Sequence, residues 1–561
     1  MTSTEEISFN LIDEPWVLVE LLDGSTSELG LAEVFSQAHE IRRLQGELAS
    51  QDFAMLRVLL AILYRALDPV PQGDPIGGWD ELYHLEELPI DPIVTYLETW
   101  RERFDLCGPM PFLQTAELRN SKDEWKSLSL IVPDSDPDGA LYTMRSELNT
   151  LSLAEAARWL VHCQAYDPSG IKMGAVGDPR VKGGKGYPIG IGWCGWLGGT
   201  WIEGDTLRET LLLNLVLDRQ PRSRRDIPIW EETSLPVTER DVEERGPHGL
   251  LGLLTWPQRR LRLRVEDGVA TAVLVANGDP IDYLTQNVNE VMTPWRFSEP
   301  QTTKAKAVRY MPRALSGERA MWRGLSTLLP HGNIEQRKTK YGTVAASAPA
   351  GVLVWAGHLI EAGALEADKL LNIRVVSFVY GTQSASYERI VSDELRFVAG
   401  LTALEGEQLR SLAVQAAQRA EEAARAVRTL ANAIAQAAGG EAGGAGARAE
   451  AELFAEFDRS YPEWLGTLRI DSDLNSSLAR WTQHVRGAAQ ASAERLVAAA
   501  PPGAWAGRVV DSRFHPEGQV LTVGTASSRF RWQLGKALGD VISNTDSSAP
   551  TTPEHEEHGD D

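Results

Sequence analysis

The chain has 561 residues, 43% of them hydrophobic and 17 of them Trp, with 78 acidic against 55 basic residues and a formal net charge of −23. Length and apolar content imply a large core in more than one domain, while the acidic balance excludes a protein that coats nucleic acid through counterion release, so that any DNA contact is local. Three cysteines (Cys107, Cys163, Cys194) without a CxxC pair argue against a disulfide framework or a structural zinc site, and the lack of a basic-then-apolar leader or of any apolar run near the roughly 20 residues that span a bilayer gives the expectation of a cytoplasmic protein away from membranes.

From the N-terminus, residues 1 to about 390 mix short strand-like runs, helices and Gly/Pro turns, the pattern of a large irregular α+β domain. Leu56 to Leu67 reads as a buried helix. A basic segment follows, with Lys172, Arg180, Lys182 and Lys185 against Asp178 alone. After Thr255-Trp256-Pro257, the run from Arg260 to Val265 alternates with period two. The turn Glu266-Asp267-Gly268 and the return from Ala270 to Val275 complete a predicted hairpin with one wet face. A second basic segment sets Arg296, Lys304, Lys306, Arg309 and Arg313 against Glu299. The alternative reading of either cluster is a solvated loop.

Val375 to Tyr380 has the β-branched and aromatic content of a strand. The stretch Tyr380-Gly381-Thr382-Gln383-Ser384-Ala385-Ser386-Tyr387-Glu388-Arg389 then puts one amide side chain, Gln383, at the tip of a small-residue turn. Ser384 or Ser386 is placed to cap a helix through Glu388 and Arg389. After about residue 392, Leu409, Leu412, Ala416, Ala420, Ala423, Val427, Leu430 and Ile434 recur at spacings of three and four, which marks an amphipathic helix. The glycines from Gly439 to Gly444 end it, and further helical patterns run over Ala447 to Phe457, Leu474 to Ala499 and Phe530 to Ile542. The expected organisation is an α+β domain over 1–390, a C-terminal four-helix bundle over 391–543, and a disordered acidic tail over 544–561.

The glycines around Ser169 to Gly177 and Lys182 to Gly186 invite a phosphate-loop reading. Around Gly184-Lys185, however, the places that a Walker A loop reserves for Gly and for Ser or Thr hold Pro179 and Gly186. What these glycines do supply is close backbone approach, as a loop entering a narrow groove requires. No HExxH, paired HD or GxSxG motif is present. His162 beside Cys163, with Cys194 distant, makes a poor metal set. Neither catalytic residue, metal nor cofactor is expected, and a binding subunit fits better.

Three stretches carry a family resemblance: Phe9-Asn10-Leu11-Ile12-Asp13-Glu14-Pro15-Trp16, Arg103 to Gln114, and Tyr380 to Arg389. They resemble the CasA family, the large subunit of the type I-E CRISPR Cascade complex. The resemblance implies a noncatalytic subunit that reads the protospacer-adjacent motif of double-stranded DNA from the minor groove and starts strand separation. In that reading Gly170, Lys172 and Gly174 carry the motif-reading glycine loop, with Lys172 as its basic donor and with Ile171 and Met173 between them as weaker candidates. Thr382, Gln383 and Ser384 form the wedge, and Lys182, Lys185, Arg260, Lys304 and Lys306 are weaker candidates. A mobile loop of the family corresponds to Pro133 to Arg145. The family places a lysine finger at the hairpin turn where this chain has Glu266-Asp267-Gly268, so that either the correspondence is shifted along the chain or the role passes to a neighbour such as Arg259, Arg260, Lys304 or Lys306. The implied partners are target DNA, the guide-RNA ribonucleoprotein with its backbone and small subunits, and a helicase-nuclease recruited after R-loop formation. A nucleotide-binding enzyme using the Gly/Lys loop, and a structural adaptor in which Gln383 is a turn residue, are the competing functions.

Overall fold

The computed structural model describes residues 7–67, 73–133, 148–217, 223–233, 235–241, 246–315, 317, 319–330, 335–512 and 515–539. The acidic tail over 544–561, and the loop from Pro133 to Arg145 beyond Pro133 itself, lie outside the described residues. The chain divides into two units, Met1–Ser411 with Leu465–Ser472 and Leu412–Trp464 with Asp473–Asp561. Residue 391, where composition places the break, lies within the strand Tyr387–Val398.

The first unit is α+β, built on several small sheets. Val17–Leu21 (β1), Thr26–Leu29 (β2) and Ile41–Leu44 (β3) form an antiparallel sheet in the order β2-β1-β3. Ala49–Ala66 (α1) has no sustained polar face and is buried along most of its length, as its composition requires. Leu151–Ser152 (β4) leads into Leu153–Tyr166 (α2), whose first turn is capped by Ser152 Oγ accepting from Glu155 N at 3.1 Å. Two short strands, Lys172–Met173 (β5) and Lys185–Gly186 (β6), precede Gly199–Glu203 (β7).

Arg259–Glu266 (β8) and Val269–Asn277 (β9) form the expected hairpin, with Asp267 and Gly268 in its turn at φ 51° and 77°. Strand β9 also pairs antiparallel with β4 and, through Met173 and Ala276, parallel with β5, which carries β6 on its outer edge. The glycine-rich segment is therefore the edge of a sheet. Further on, Trp295–Phe297 (β10) leads into the helix Glu299–Ala305 (α3), and Tyr310–Pro312 (β11) and Ser347–Ala348 flank β10. Between them Gln336–Thr339 (β12) and Gly342–Ala345 (β13) pair only with each other, and Ser347–Ala348 is β14.

The last sheet corrects one expectation. Leu370–Tyr380 (β15) is the predicted strand, but Tyr387–Val398 (β16) is a strand too, not a helix capped by Ser384 or Ser386. The two pair antiparallel from Leu370 with Val398 to Tyr380 with Tyr387, and β7 covers the other edge of β15. A serine cap satisfies one or two backbone donors. Pairing with β15 satisfies the whole segment, and Ile390, Val391 and Phe397 favour the extended form.

A buried ion pair ties this unit together. Arg57 of α1 donates to Glu290 through Nη1 to Oε1 at 3.0 Å and Nη2 to Oε2 at 2.8 Å, and to the Leu253 carbonyl at 2.9 Å. Trp193 Nε1 and Met292 N supply further donors to the same carboxylate. Burial pushes the Glu290 carboxyl up, but the charge and hydrogen bonds of Arg57 outweigh it and hold the group below its ordinary value of 4.5.

The second unit is a bundle of four helices: the greater part of Glu407–Ala437 (α4), most of Gly444–Gly466 (α5), Leu474–Ala498 (α6) and Val523–Leu538 (α7). The small-residue stripe of α4 is buried at Ala416, Ala420, Ala423 and Val427. Tyr461 Oη and Trp481 Nε1 reach its Ala413 and Ala416 carbonyls at 2.7 and 2.8 Å. Helix α7 begins well before Phe530, where Thr522 caps it, and a hairpin of Arg508–Ser512 and His515–Leu521 precedes it. Among the described residues no helix is long and apolar enough to cross a membrane.

Glu290→Ala leaves the Arg57 guanidinium buried without its partner, and should cost about 3–5 kcal/mol in urea unfolding at neutral pH. The folded-state value of Glu290 is depressed, so its contribution is complete above about 4.5 and fades as pH falls through the folded value. Glu290→Gln should therefore flatten the acid limb of the stability profile. Wild-type stability in Glu290→Ala would contradict the assignment.

Candidate nucleic-acid interface

An aromatic cluster supports the tip of the β15–β16 hairpin. Phe378 packs against Tyr166, Tyr387 and Tyr380 with ring centroids 4.9, 5.1 and 5.7 Å apart. Tyr380 Oη donates to the Tyr166 carbonyl at 2.6 Å, which pins the hairpin to the end of α2. Above this base Gly381 N donates to the Ser386 carbonyl at 3.0 Å and closes the turn. Gln383 and Ser384 stand in the left-handed region at φ 57° and 55°, which costs a non-glycine residue on the order of 1 kcal/mol each. Thr382 and Gln383 are exposed, Ser384 half-buried. The tip holds its amide outward at some conformational expense.

The glycine loop meets that tip. Ser169 N donates to the Ser384 carbonyl at 2.7 Å, and a Cβ on Gly170 would lie 3.4 Å from the Ala385 carbonyl oxygen. Two segments more than 200 positions apart in sequence thus form one surface. Ile171 is 57% exposed beside them, and Tyr187, which the sequence did not single out, is 53% exposed.

Beyond the contact, β5 and β6 pair Lys172 with Gly186 and Met173 with Lys185. Gly174 N donates to the Gly184 carbonyl at 3.1 Å, and a Cβ on Gly174 would sit 2.6 Å from that carbonyl group. Only glycine allows the strands so close. Lys182 and Lys185 exchange backbone hydrogen bonds across Gly183 and Gly184, at φ 58° and 73°, and both lysines are exposed. Met173 faces inward, packed on a cluster of Leu118, Ala175, Leu274 and Ala276. It anchors the loop.

The charges at the root of the loop are not free. Lys172 Nζ sits 2.6 Å from Oδ2 of buried Asp167, and its side chain is mostly covered. The same oxygen accepts from Arg259 Nε. Arg259 Nη2 also donates to the Pro168 and Gly190 carbonyls at 2.9 and 2.8 Å, so one guanidinium closes the neck of the 168–190 segment. Arg259, fully buried, is no substitute for the family's lysine finger. Nor is Arg260: also fully buried, it donates to the Pro236, Pro257 and Thr238 carbonyls and to Asp279 Oδ1 at 2.7 Å. The alternation of β8 suggested a wet face for these arginines, but buried carbonyls and carboxylates from neighbouring loops cover it. Lys304 and Lys306, in and just after α3, are exposed, with Lys306 at φ 54°. Asp167 and Ser169 are the residues that sequence reasoning missed. The Asp-Pro pair at the end of α2 was their one local signal.

His162, Cys163 and Cys194 are all buried. His162 Nε2 lies 3.0 Å from Ser50 Oγ, and burial pushes its imidazole down to about 3. Burial pushes the Cys194 thiol up to about 12 and raises that of Cys163 as well. Among the described residues no group of three or more His, Cys, Asp or Glu could hold a metal.

Comparison with known proteins shows which chains this one resembles. A family model described as CRISPR-associated protein Cse1 matches residues 10–492. The crystal structure of Thermobifida fusca Cse1 superposes with a TM-score of 0.87 at 38% identity, covering 96% of this chain and 99% of that one. CRISPR-associated protein CasA/Cse1 of Thermus thermophilus is 32% identical over 333 residues, 57% of this chain; the match spans 60% of that relative's length. A chain of a CRISPR RNA-guided surveillance complex shares the fold, with a TM-score of 0.64 at 18% identity over 87% of this chain and 98% of that one.

The two cations on Asp167 should prove unequal. Lys172→Met leaves the carboxylate with Arg259 and should cost about 1 kcal/mol, whereas Arg259→Met leaves it with Lys172 alone, also deprives the Pro168 and Gly190 carbonyls of their donor, and should cost about 3–5 kcal/mol. Denaturant titration measures both. Hydrogen exchange should show the Ser169 and Lys182 to Lys185 amides losing protection first in Arg259→Met, and equal costs would refute the neck assignment.

Proposed function

The chain belongs to the CRISPR-associated Cse1 family, and from that membership we propose that it is the noncatalytic large subunit of a type I-E Cascade complex. In this reading it recognises the protospacer-adjacent motif from the minor groove, wedges the duplex open next to it and helps recruit the helicase-nuclease once an R-loop forms. A similar fold in a chain of an RNA-guided surveillance complex supports the assembly partners. The observation that carries the DNA-reading part is the Ser169–Ser384 hydrogen bond, which makes the glycine loop and the Gln383 tip one surface.

The minor groove is narrow, about 6 Å, and its pattern of donors and acceptors is degenerate. A reader built from backbone at Gly170 and one amide side chain suits such a groove. Inserting a side chain between base steps costs a few kcal/mol of unstacking, which contacts to the adjacent motif offset. The left-handed tip leaves the Gln383 side chain exposed. Sequence beyond the motif is then read by the guide RNA. Lys172 acts here as a strut holding the loop to Asp167, while Lys182 and Lys185 face the phosphates.

The nucleotide-binding reading is the weaker one. A phosphate cradle needs free backbone amides and a free cation, yet Gly174, Lys182 and Lys185 spend their amides within the loop and Lys172 its charge on Asp167.

Gln383→Gly removes the wedge side chain while easing the left-handed backbone, and Gln383→Ala removes it without that relief. In the assembled complex both should weaken binding to a fully paired target about 10- to 100-fold, the equivalent of one to a few kcal/mol of lost unstacking assistance. A target already unpaired next to the motif should restore most of the affinity. Equal losses on paired and pre-opened targets would sink the wedge role.

A further inference from the structure

Between Trp295 and Ala348 the sequence sets ten Lys and Arg against three Glu, in a chain whose net charge is −23. Part of that excess converges on the β12–β13 hairpin, where Arg337 pairs with Val344, Lys338 with Thr343, and Lys340 and Tyr341 form the turn. None of the eight strand residues is buried, and Gln336, Arg337, Lys338 and Lys340 are all exposed. A two-stranded hairpin with no apolar face is marginal in water by itself. This one is held at its root: Ala346 N donates to the Glu335 carbonyl at 2.8 Å, Phe297 N to the Ala346 carbonyl at 2.9 Å, and Tyr310 Oη to the Ala345 carbonyl at 3.0 Å. Packing does not explain why the chain extends it.

The charges at the tip are available. Arg337 lies 3.3 Å from Glu335, a solvent-exposed pair of the kind worth little. The Lys340 ammonium sits 4.9 Å over the Tyr341 ring, which orients it without neutralising it. Lys338 has no carboxylate partner among the described residues. Neighbours along a strand point to opposite faces, so Arg337 and Lys338 put charge on both sides of the ribbon, and Lys340 adds it at the end.

We propose that the β12–β13 hairpin is a duplex-DNA arm that contacts phosphates without reading sequence, separately from the Gln383 tip. An acidic protein surface would meet one face of the ribbon and leave the other unpaired. The major groove, about 12 Å wide, admits a two-stranded ribbon and lines it with phosphates on both sides. The inference rests on the duplex-binding reading above, and adds to it the sequence-independent part of the affinity.

The test titrates the full-length chain with a random-sequence duplex from about 50 to about 200 mM salt. Neutralising three phosphate contacts with R337Q/K338Q/K340Q should make the slope of log affinity against log salt shallower by about 2.7, so that the wild type loses about 40-fold more affinity than the variant over that range. The charge-keeping variant R337K/K338R/K340R should retain the wild-type slope, with all three proteins melting alike. In the same titration Arg459→Gln, which removes an exposed cation of α5, should leave the random-duplex slope unchanged. An unaltered slope in the neutralised variant overturns the arm, as does a slope change at least as large on single strands. If in the assembled complex Gln383→Gly loses affinity equally on paired and pre-opened targets while the slope behaves as expected, the wedge reading falls and the arm stands.

Discussion

Two cations share one buried carboxylate at the root of the candidate interface, and that sharing sets the shape of the interface. Asp167 ends α2 and holds both Arg259 and Lys172. Removing a carboxylate from water is costly unless charge and hydrogen bonds replace its hydration, and here the replacement comes from Lys172 within the glycine-rich segment and from Arg259 of β8. Arg259 gathers Pro168 and Gly190, Lys172 straps down the first strand of the loop, and Ser169 is left aimed at the hairpin tip. A flexible glycine loop becomes a positioned one. The glycines that remain free of Cβ then matter for approach to a ligand and to each other.

Where charge sits matters more than its total. In the segment from Lys172 to Lys185, Lys172 is spent on Asp167 and Arg180 on Asp178 and Glu239, while Lys182 and Lys185 stand in solvent. Arg259 and Arg260 lie wholly inside. An acidic protein is thus compatible with a local DNA surface, because its cations divide into those that build the scaffold and a small exposed set at loop and hairpin tips. Electrostatic attraction from such a set falls off within about a Debye length, so most of the acidic surface does not oppose it at physiological salt.

Much of the fold is legible in the residues. The alternation from Arg260 to Val275 with Asp267-Gly268 between marks the β8–β9 hairpin, and the small-residue stripe from Leu412 to Ile434 marks the bundle, since both rest on local periodicity. The exposed Gln383 turn is legible from its run of small residues. The strand after that turn is hidden: Glu388 and Arg389 look helical after two serines, and only pairing with β15 makes them extended. Long-range partners also decide the fate of charge. Nothing near Arg260 in sequence reveals that Asp279 and three carbonyls enclose it, whereas Asp167 lies close before Lys172 in sequence and only the Asp-Pro pair hints that it takes the lysine's charge.

The central claim is that loop and tip act as one reader. A double-mutant cycle in the assembled complex tests it most directly, with Gly170→Val perturbing the loop where a Cβ would touch the Ala385 carbonyl and Gln383→Gly removing the wedge. Binding to a motif-bearing duplex should show a coupling of about 1 kcal/mol or more between the two changes, with no coupling on a duplex whose motif is scrambled. Additivity within about 0.5 kcal/mol on the motif-bearing duplex would mean that the two segments read DNA independently, and would contradict the account.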